Sequence, residues 1–145
     1  MSMTDPEEAS GQQIANFSLS KRQLSWLSVF AFLAFLSVAF GAFGAHALQS
    51  IVDEKALSWW QTGCHYMSYH ALAGCFTSLF LAQLPRARVT LWSFLVGIVF
   101  FSGSLFTMSL SGLTLLGMIT PIGGFLFLLG WGWLIFVFSC AARRT

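Results

Sequence analysis

Charge is what this sequence has least of. Asp, Glu, Lys and Arg make up 8% of its 145 residues, against about 25% in an ordinary soluble domain. Seven Lys and Arg against five Asp and Glu leave a formal net charge of +2, so there is no basic face for nucleic acid. Cysteine is scarce as well. Cys64, Cys75 and Cys140 are odd in number, lack paired spacing and sit inside apolar stretches, so they read as small hydrophobes rather than a disulfide framework. No His-Glu-x-x-His and no Gly-x-Ser-x-Gly is present, and no internal repeat is convincing. No carboxylate falls within the long apolar stretches, which leaves hydrolytic metal chemistry without a general base. Ser102-Gly-Ser104 likewise has no acid to complete a triad.

What is abundant is apolar. Hydrophobic residues make up 57% and aromatics 17%, and the mean hydropathy is +0.76. A chain this short keeps much of its surface exposed on folding, so water is the wrong solvent for it. A soluble enzyme and a disordered chain are both excluded, and an integral membrane protein is expected.

The few charges divide the chain. They cluster in residues 5–8, at Lys21 and Arg22, in residues 53–55, at Arg86 and Arg88, and at Arg143 and Arg144. Residues 23–52, 56–85 and 89–142 carry none. A spanning helix needs about 20 apolar residues, so the first two stretches hold one helix each and the third holds two. The segment 109–121, rich in Ser, Gly, Thr and ending in Pro121, divides that third stretch. The spacing predicts helices over 24–46, 57–83, 89–109 and 119–142. The fold class is all-α, an integral membrane four-helix bundle over residues 21–145 behind a polar cytoplasmic tail, residues 1–20. In that tail Asp5 and Pro6 could open a short helix; a loose tail is the alternative. Barrel strands would alternate polar and apolar, and these runs do not. Ala45-His46-Ala47 resembles a signal-peptide cleavage site. The apolar run before it, residues 24–43, exceeds the roughly 7–15 residues of a signal core, so the first helix is read as a retained span.

Lys and Arg counts in short segments set orientation. Six of the seven cations precede the first helix, join the second to the third or follow the fourth, and only Lys55 lies on the other side, beside Asp53 and Glu54. Both termini are therefore expected in the cytoplasm after four passes.

Lipid is as apolar as leucine, so close packing at small residues must join the helices. The first helix carries Ser37, Gly41 and Ala45 four residues apart, with Gly44 beside them. The third offers Gly97, Ser102, Gly103 and Ser104, and the fourth Gly123, Gly124, Gly130 and Gly132. These faces serve packing within one bundle or a homo-oligomer. Trp26, Trp59, Trp60 and Trp92 fall near helix ends, as interfacial anchors do. Trp131 and Trp133 fall deeper and read as packing.

Ionisable residues inside a span are costly and face a bundle interior or water. Here they are histidines. His46 lies at the outer end of the first helix, His65 about two turns into the second, and His70 near mid-membrane. His65 and His70 are five apart and do not share a helix face. Tyr66 precedes His70 by four residues, and Gln61 adds polarity outside. Three readings stand side by side. The histidines hydrogen-bond neighbouring helices and fix packing, they line a proton path, or two of them hold a haem or metal. Thr120, Pro121, Gly123 and Gly124 form a turn and helix start whose glycines permit close approach.

Gly41-Ala-Phe-Gly-Ala-His-Ala-Leu48, Trp60-Gln-Thr-Gly-Cys-His-Tyr66 with His70-Ala-Leu72, Phe101-Ser-Gly-Ser-Leu105, and Leu116-Gly-Met-Ile-Thr-Pro-Ile-Gly-Gly124 with Gly130-Trp131 occur in this order. Together they closely resemble the small membrane-protein family catalogued as domain of unknown function number 423, which includes YgdD-like bacterial inner-membrane proteins and a transmembrane protein 256 type. The resemblance covers residues 20–142. It implies four passes in the bacterial inner membrane and no established activity. Family members commonly carry glutamine at the position of His65, which makes His65, like Gln61, a weaker candidate than His46 and His70.

On this topology the motifs fall on the outer half of the bundle, and only His70 lies deeper. The candidate functional residues are therefore His46, His70, Tyr66, Gly41, Gly44, Ser102, Ser104, Thr120, Pro121, Gly123 and Gly124, while the cytoplasmic ends are expected to be dispensable. The leading expectation is a non-enzymatic accessory or structural protein that binds membrane lipid, a second copy or a membrane-protein partner, with no cofactor. A proton-linked carrier or pore formed by an oligomer, with His70 and Tyr66 in the path, is the first alternative. A haem- or metal-binding subunit using His46 and His70 is the second.

Overall fold

Ser20 opens the first helix. Its hydroxyl accepts from the backbone N–H of Gln23 at 3.3 Å, and the Gln23 amide oxygen accepts from the Ser20 N–H at 3.0 Å. This reciprocal cap satisfies two N–H groups that a helix start otherwise leaves bare. The computed structural model describes residues 18–143, so the expectations for the tail up to residue 17 and for Arg144 lie outside the described residues. Among the described residues there are four long α-helices and no strand: α1 (Lys21–His46), α2 (Glu54–Leu79), α3 (Arg88–Ser111) and α4 (Thr120–Ala142).

The boundaries differ from those expected because caps, not apolar runs, set them. α1 begins three residues early at the Ser20 cap. α2 begins at Glu54 rather than 57, because Asp53 Oδ1 accepts from the Ala56 N–H at 2.7 Å. It ends at Leu79 rather than 83. Residues 80–84 turn instead, ahead of Pro85, which disfavours helix in the residue before it. α3 runs two residues further, to Ser111, where Gly112 adopts φ +70° and returns its N–H to Met108 O at 2.9 Å. That left-handed closing residue suits glycine. α4 starts at Thr120 with Pro121 in its first turn, as expected.

The helices run antiparallel, each packed on the next in sequence. At one end Gln23 Nε2 donates to Leu79 O at 2.6 Å, tying the start of α1 to the end of α2. At the other end Trp60 Nε1 donates to Phe40 O at 2.7 Å, tying the end of α1 to the start of α2. α2 and α3 form the centre and hold most of the buried residues, while α1 and α4 flank them. The core centres on Phe30, Met67, Leu91, Phe94, Ile98 and Phe127. The flanking helices turn Phe32, Phe35, Val38, Phe125, Leu128 and Ile135 outward, a surface suited to hydrocarbon rather than water.

Glycines set the helix separations. A Cβ on Gly74 would collide with the Phe30 ring, and one on Gly123 with the backbone of Phe101. Gly97 and Gly130 similarly receive the rings of Phe127 and Phe94. The small residues of α3 and α4 are thus used mainly inside the bundle, whereas Gly41, Gly103 and Gly132 face open space.

α1, α3 and α4 are each long and apolar enough to cross a membrane. α2 is equally long at 26 residues, about 39 Å at 1.5 Å per residue. It is more polar because it carries Gln61, Thr62, His65, Ser68 and His70, and it lies between its neighbours along their length.

Candidate functional site

His70 is buried about two-thirds of the way along α2, with both ring nitrogens engaged. Nδ1 lies 2.8 Å from Tyr66 O. A carbonyl only accepts, so Nδ1 carries the proton and donates. Trp131 Nε1 on α4 donates to Nε2 at 3.2 Å. The ring is therefore a neutral imidazole in the Nδ1–H form. One face stacks on Phe127 with centroids 3.5 Å apart and planes 8° off parallel. The Phe94 ring meets it edge-on at 5.1 Å, and Tyr66 stacks at 6.1 Å. His70 thereby joins α2 to α4, two helices that share no extended interface. The geometry matches the reading in which a histidine fixes helix packing. Neither nitrogen is presented to a metal, and neither partner is a hydroxyl that could relay a proton onward.

The Trp60 end of the bundle is a second constellation. The Trp60 indole is 4% exposed and is surrounded by Phe40, Phe43 and Phe106, with ring centroids 4.7–5.6 Å away. Gly44 makes room for it: a Cβ there would stand 2.7 Å from Trp60 Cδ1. Gly63 makes room for Phe106 in the same way. This corrects the expectation that Trp60 anchors at headgroup level. It is a core side chain, held by its bond to Phe40 O. Trp133 is corrected too. Instead of packing deep, it donates to Arg86 O at 2.9 Å, at the link between α2 and α3.

Beside Trp60, on the outside of the α1–α2 seam, runs an open groove of about 460 Å³. Gly41 and Ala45 form its α1 wall, and Gln61, His65 and Ser68 its α2 wall. Ser37 closes one side, donating to Ala34 O at 2.7 Å and lying 3.3 Å from Ser68 Oγ. Gln61 and His65 are exposed. His65 stacks loosely on Tyr69 at 6.3 Å, and neither side chain makes a hydrogen bond within the described residues.

The remaining candidates separate. His46 is exposed at the last residue of α1, outside this groove and apart from His70. Ser104 Oγ donates to Phe101 O at 2.9 Å and so accepts from Thr120 Oγ1 at 2.8 Å, locking α3 to the start of α4. Gly123 lies against the Phe101 backbone, and a Cβ on Gly124 would stand 3.8 Å from the Phe101 ring. Pro121 is exposed and shapes only the helix start. Ser102 is buried, and its hydroxyl has no hydrogen-bond partner among the described residues. The outer-half candidates are therefore not one site. Sequence reasoning missed Trp131, Phe127 and Trp60 as the residues that organise it. Trp60 and Trp131 stood within the quoted motifs, but a tryptophan's partner is invisible until helices are paired.

Residues 40–124 match the family model described as protein of unknown function (DUF423). A membrane protein of Haemophilus influenzae, named UPF0382 membrane protein, is 43% identical over 107 residues, covering 73% of this chain and 86% of the relative. The Bacillus subtilis UPF0382 membrane protein YwdK is 43% identical over 102 residues, covering 68% and 82%. The Escherichia coli K12 inner membrane protein YgdD is 39% identical over 113 residues, covering 73% and 83%. No solved structure matches the chain. With more than half its length in the family model and relatives at about 40% identity across most of both chains, this helical membrane protein belongs to the DUF423 family of unknown function.

Proposed function

We propose that this protein is a non-enzymatic docking subunit of the bacterial inner membrane, and that its α1–α2 groove receives a transmembrane helix of a partner protein. The inner-membrane name of the E. coli relative supports the location. All four helices span in this reading, with both termini in the cytoplasm. The cation distribution supports that orientation, and the antiparallel run of α2 along its neighbours supports the fourth span.

One observation carries the reading. Gln61 and His65 face outward on a membrane helix with their hydrogen-bonding groups unused, whereas His70, Ser37, Ser104 and Thr120 are satisfied inside the bundle. His65 lies about 16 Å along α2 from Glu54, which is hydrocarbon depth if α2 spans. Polar side chains at that depth pair across helices. Gly41 and Ala45 leave the opposite wall low enough for a second backbone to approach.

Co-purification in mild detergent tests this. The protein should retain a partner, and Gly41→Leu should release it, because a side chain there enters open space and fills the groove without touching the fold. A second copy of the chain as the retained species would specify the partner. A monomer free of any protein partner, unchanged by Gly41→Leu, would overturn the proposal.

A further inference from the structure

We propose that the opposite end of the bundle, built around Arg86, holds one anionic phospholipid. Residues 83–86, linking α2 to α3, and the last turns of α4 line an open groove of about 440 Å³, within the roughly 300–1,000 Å³ of small-molecule sites. Its two walls differ in chemistry. Gln83 and Arg86 supply an amide and a guanidinium, while Phe136, Val137 and Cys140 supply an apolar floor. That pairing matches a phosphate headgroup continued by an acyl chain. The groove lies at the last turns of α4, beside the link, which is where a headgroup sits when α4 spans.

Charge on this end is uncompensated among the described residues. Among the described residues the carboxylates are Asp53 and Glu54, both at the start of α2, at the far end. Lys21, Arg22, Arg86, Arg88 and Arg143 share the Arg86 end, and none forms an ion pair within the described residues. A guanidinium fits phosphate oxygens in a two-pronged geometry that an ammonium lacks. The site is also fixed. Trp133 Nε1 holds Arg86 O at 2.9 Å, so the link is pinned to α4 by its backbone while the Arg86 side chain is left free to bind. Arg88, two residues on, does not line the groove. This proposal does not depend on the α1–α2 groove at the other end.

The test is native mass spectrometry of the full chain released from nanodiscs of equal phosphatidylglycerol and phosphatidylcholine. One phosphatidylglycerol should remain bound in preference to phosphatidylcholine. Arg86→Gln should lower that adduct about fivefold, the worth of one basic side chain near an anionic surface, and Arg88→Gln should leave it unchanged. Helix content by circular dichroism should be the same in all three proteins, since the Arg86 side chain makes no hydrogen bond among the described residues. Equal retention of the two lipids, equal losses from both arginine variants, or displacement of the lipid by soluble glycerol phosphate would each overturn the proposal.

Discussion

The indole N–H of Trp131 on α4 donates to Nε2 of His70 on α2, across 3.2 Å. This bond converts the one buried histidine from a reactive group into a fastener. A membrane helix pair has no hydrophobic drive to associate, so a polar bond between two helices without an extended shared interface has unusual leverage on the packing. Trp131→Phe keeps the aromatic surface and removes only the donor. It should lower stability by about 0.5–1.5 kcal/mol, read by unfolding in mixed detergent micelles. In a double-mutant cycle with His70→Phe the two changes should be non-additive by a similar amount. Strict additivity would mean that the bond is not formed.

Glycines at helix crossings should divide into two classes. Gly123→Ala forces a Cβ into the backbone of Phe101, which cannot rotate away, and should cost about 1–3 kcal/mol. Gly103→Ala and Gly132→Ala meet open space and should fall within about 0.5 kcal/mol of the parent. Thermal unfolding in detergent separates the classes.

Trp60→Phe retains an aromatic core residue and abolishes the bond to Phe40 O. It should destabilise the bundle by about 1 kcal/mol. Trp60→Ala also leaves a void among Phe40, Phe43 and Phe106 and should cost about 3–5 kcal/mol. If Trp60 were an interfacial anchor instead, both changes would be mild and nearly equal.

Much of the fold could be read directly. Charge-free stretches count helices because a formal charge in hydrocarbon is expensive, and Arg86 and Arg88 mark a helix boundary for the same reason. Boundaries were less legible because single side chains set them: the Ser20 and Asp53 caps extend α1 and α2, and Gly112 closes α3 later than Ser109 suggested. Periodicity within an all-apolar helix says little about which face is buried, so Trp60 passed for an anchor and Trp131 for simple packing. Gly123 was legible as a close approach, but the Phe101 backbone it meets was not. The histidines stood out by their cost. Only helix pairing distinguishes His70, fully engaged, from the exposed His46 and His65.

In the topology proposed above, α2, the most polar of the four helices, crosses the membrane between α1 and α3. Thiol labelling in intact cells tests it most directly, on a variant with Cys64, Cys75 and Cys140 replaced by alanine and single cysteines placed at Gln49, Gln83 or Leu115. A membrane-impermeant maleimide should label positions 49 and 115 from outside and position 83 only after the membrane is opened. Labelling of positions 49 and 83 from the same side would contradict the account, because α2 would then not cross.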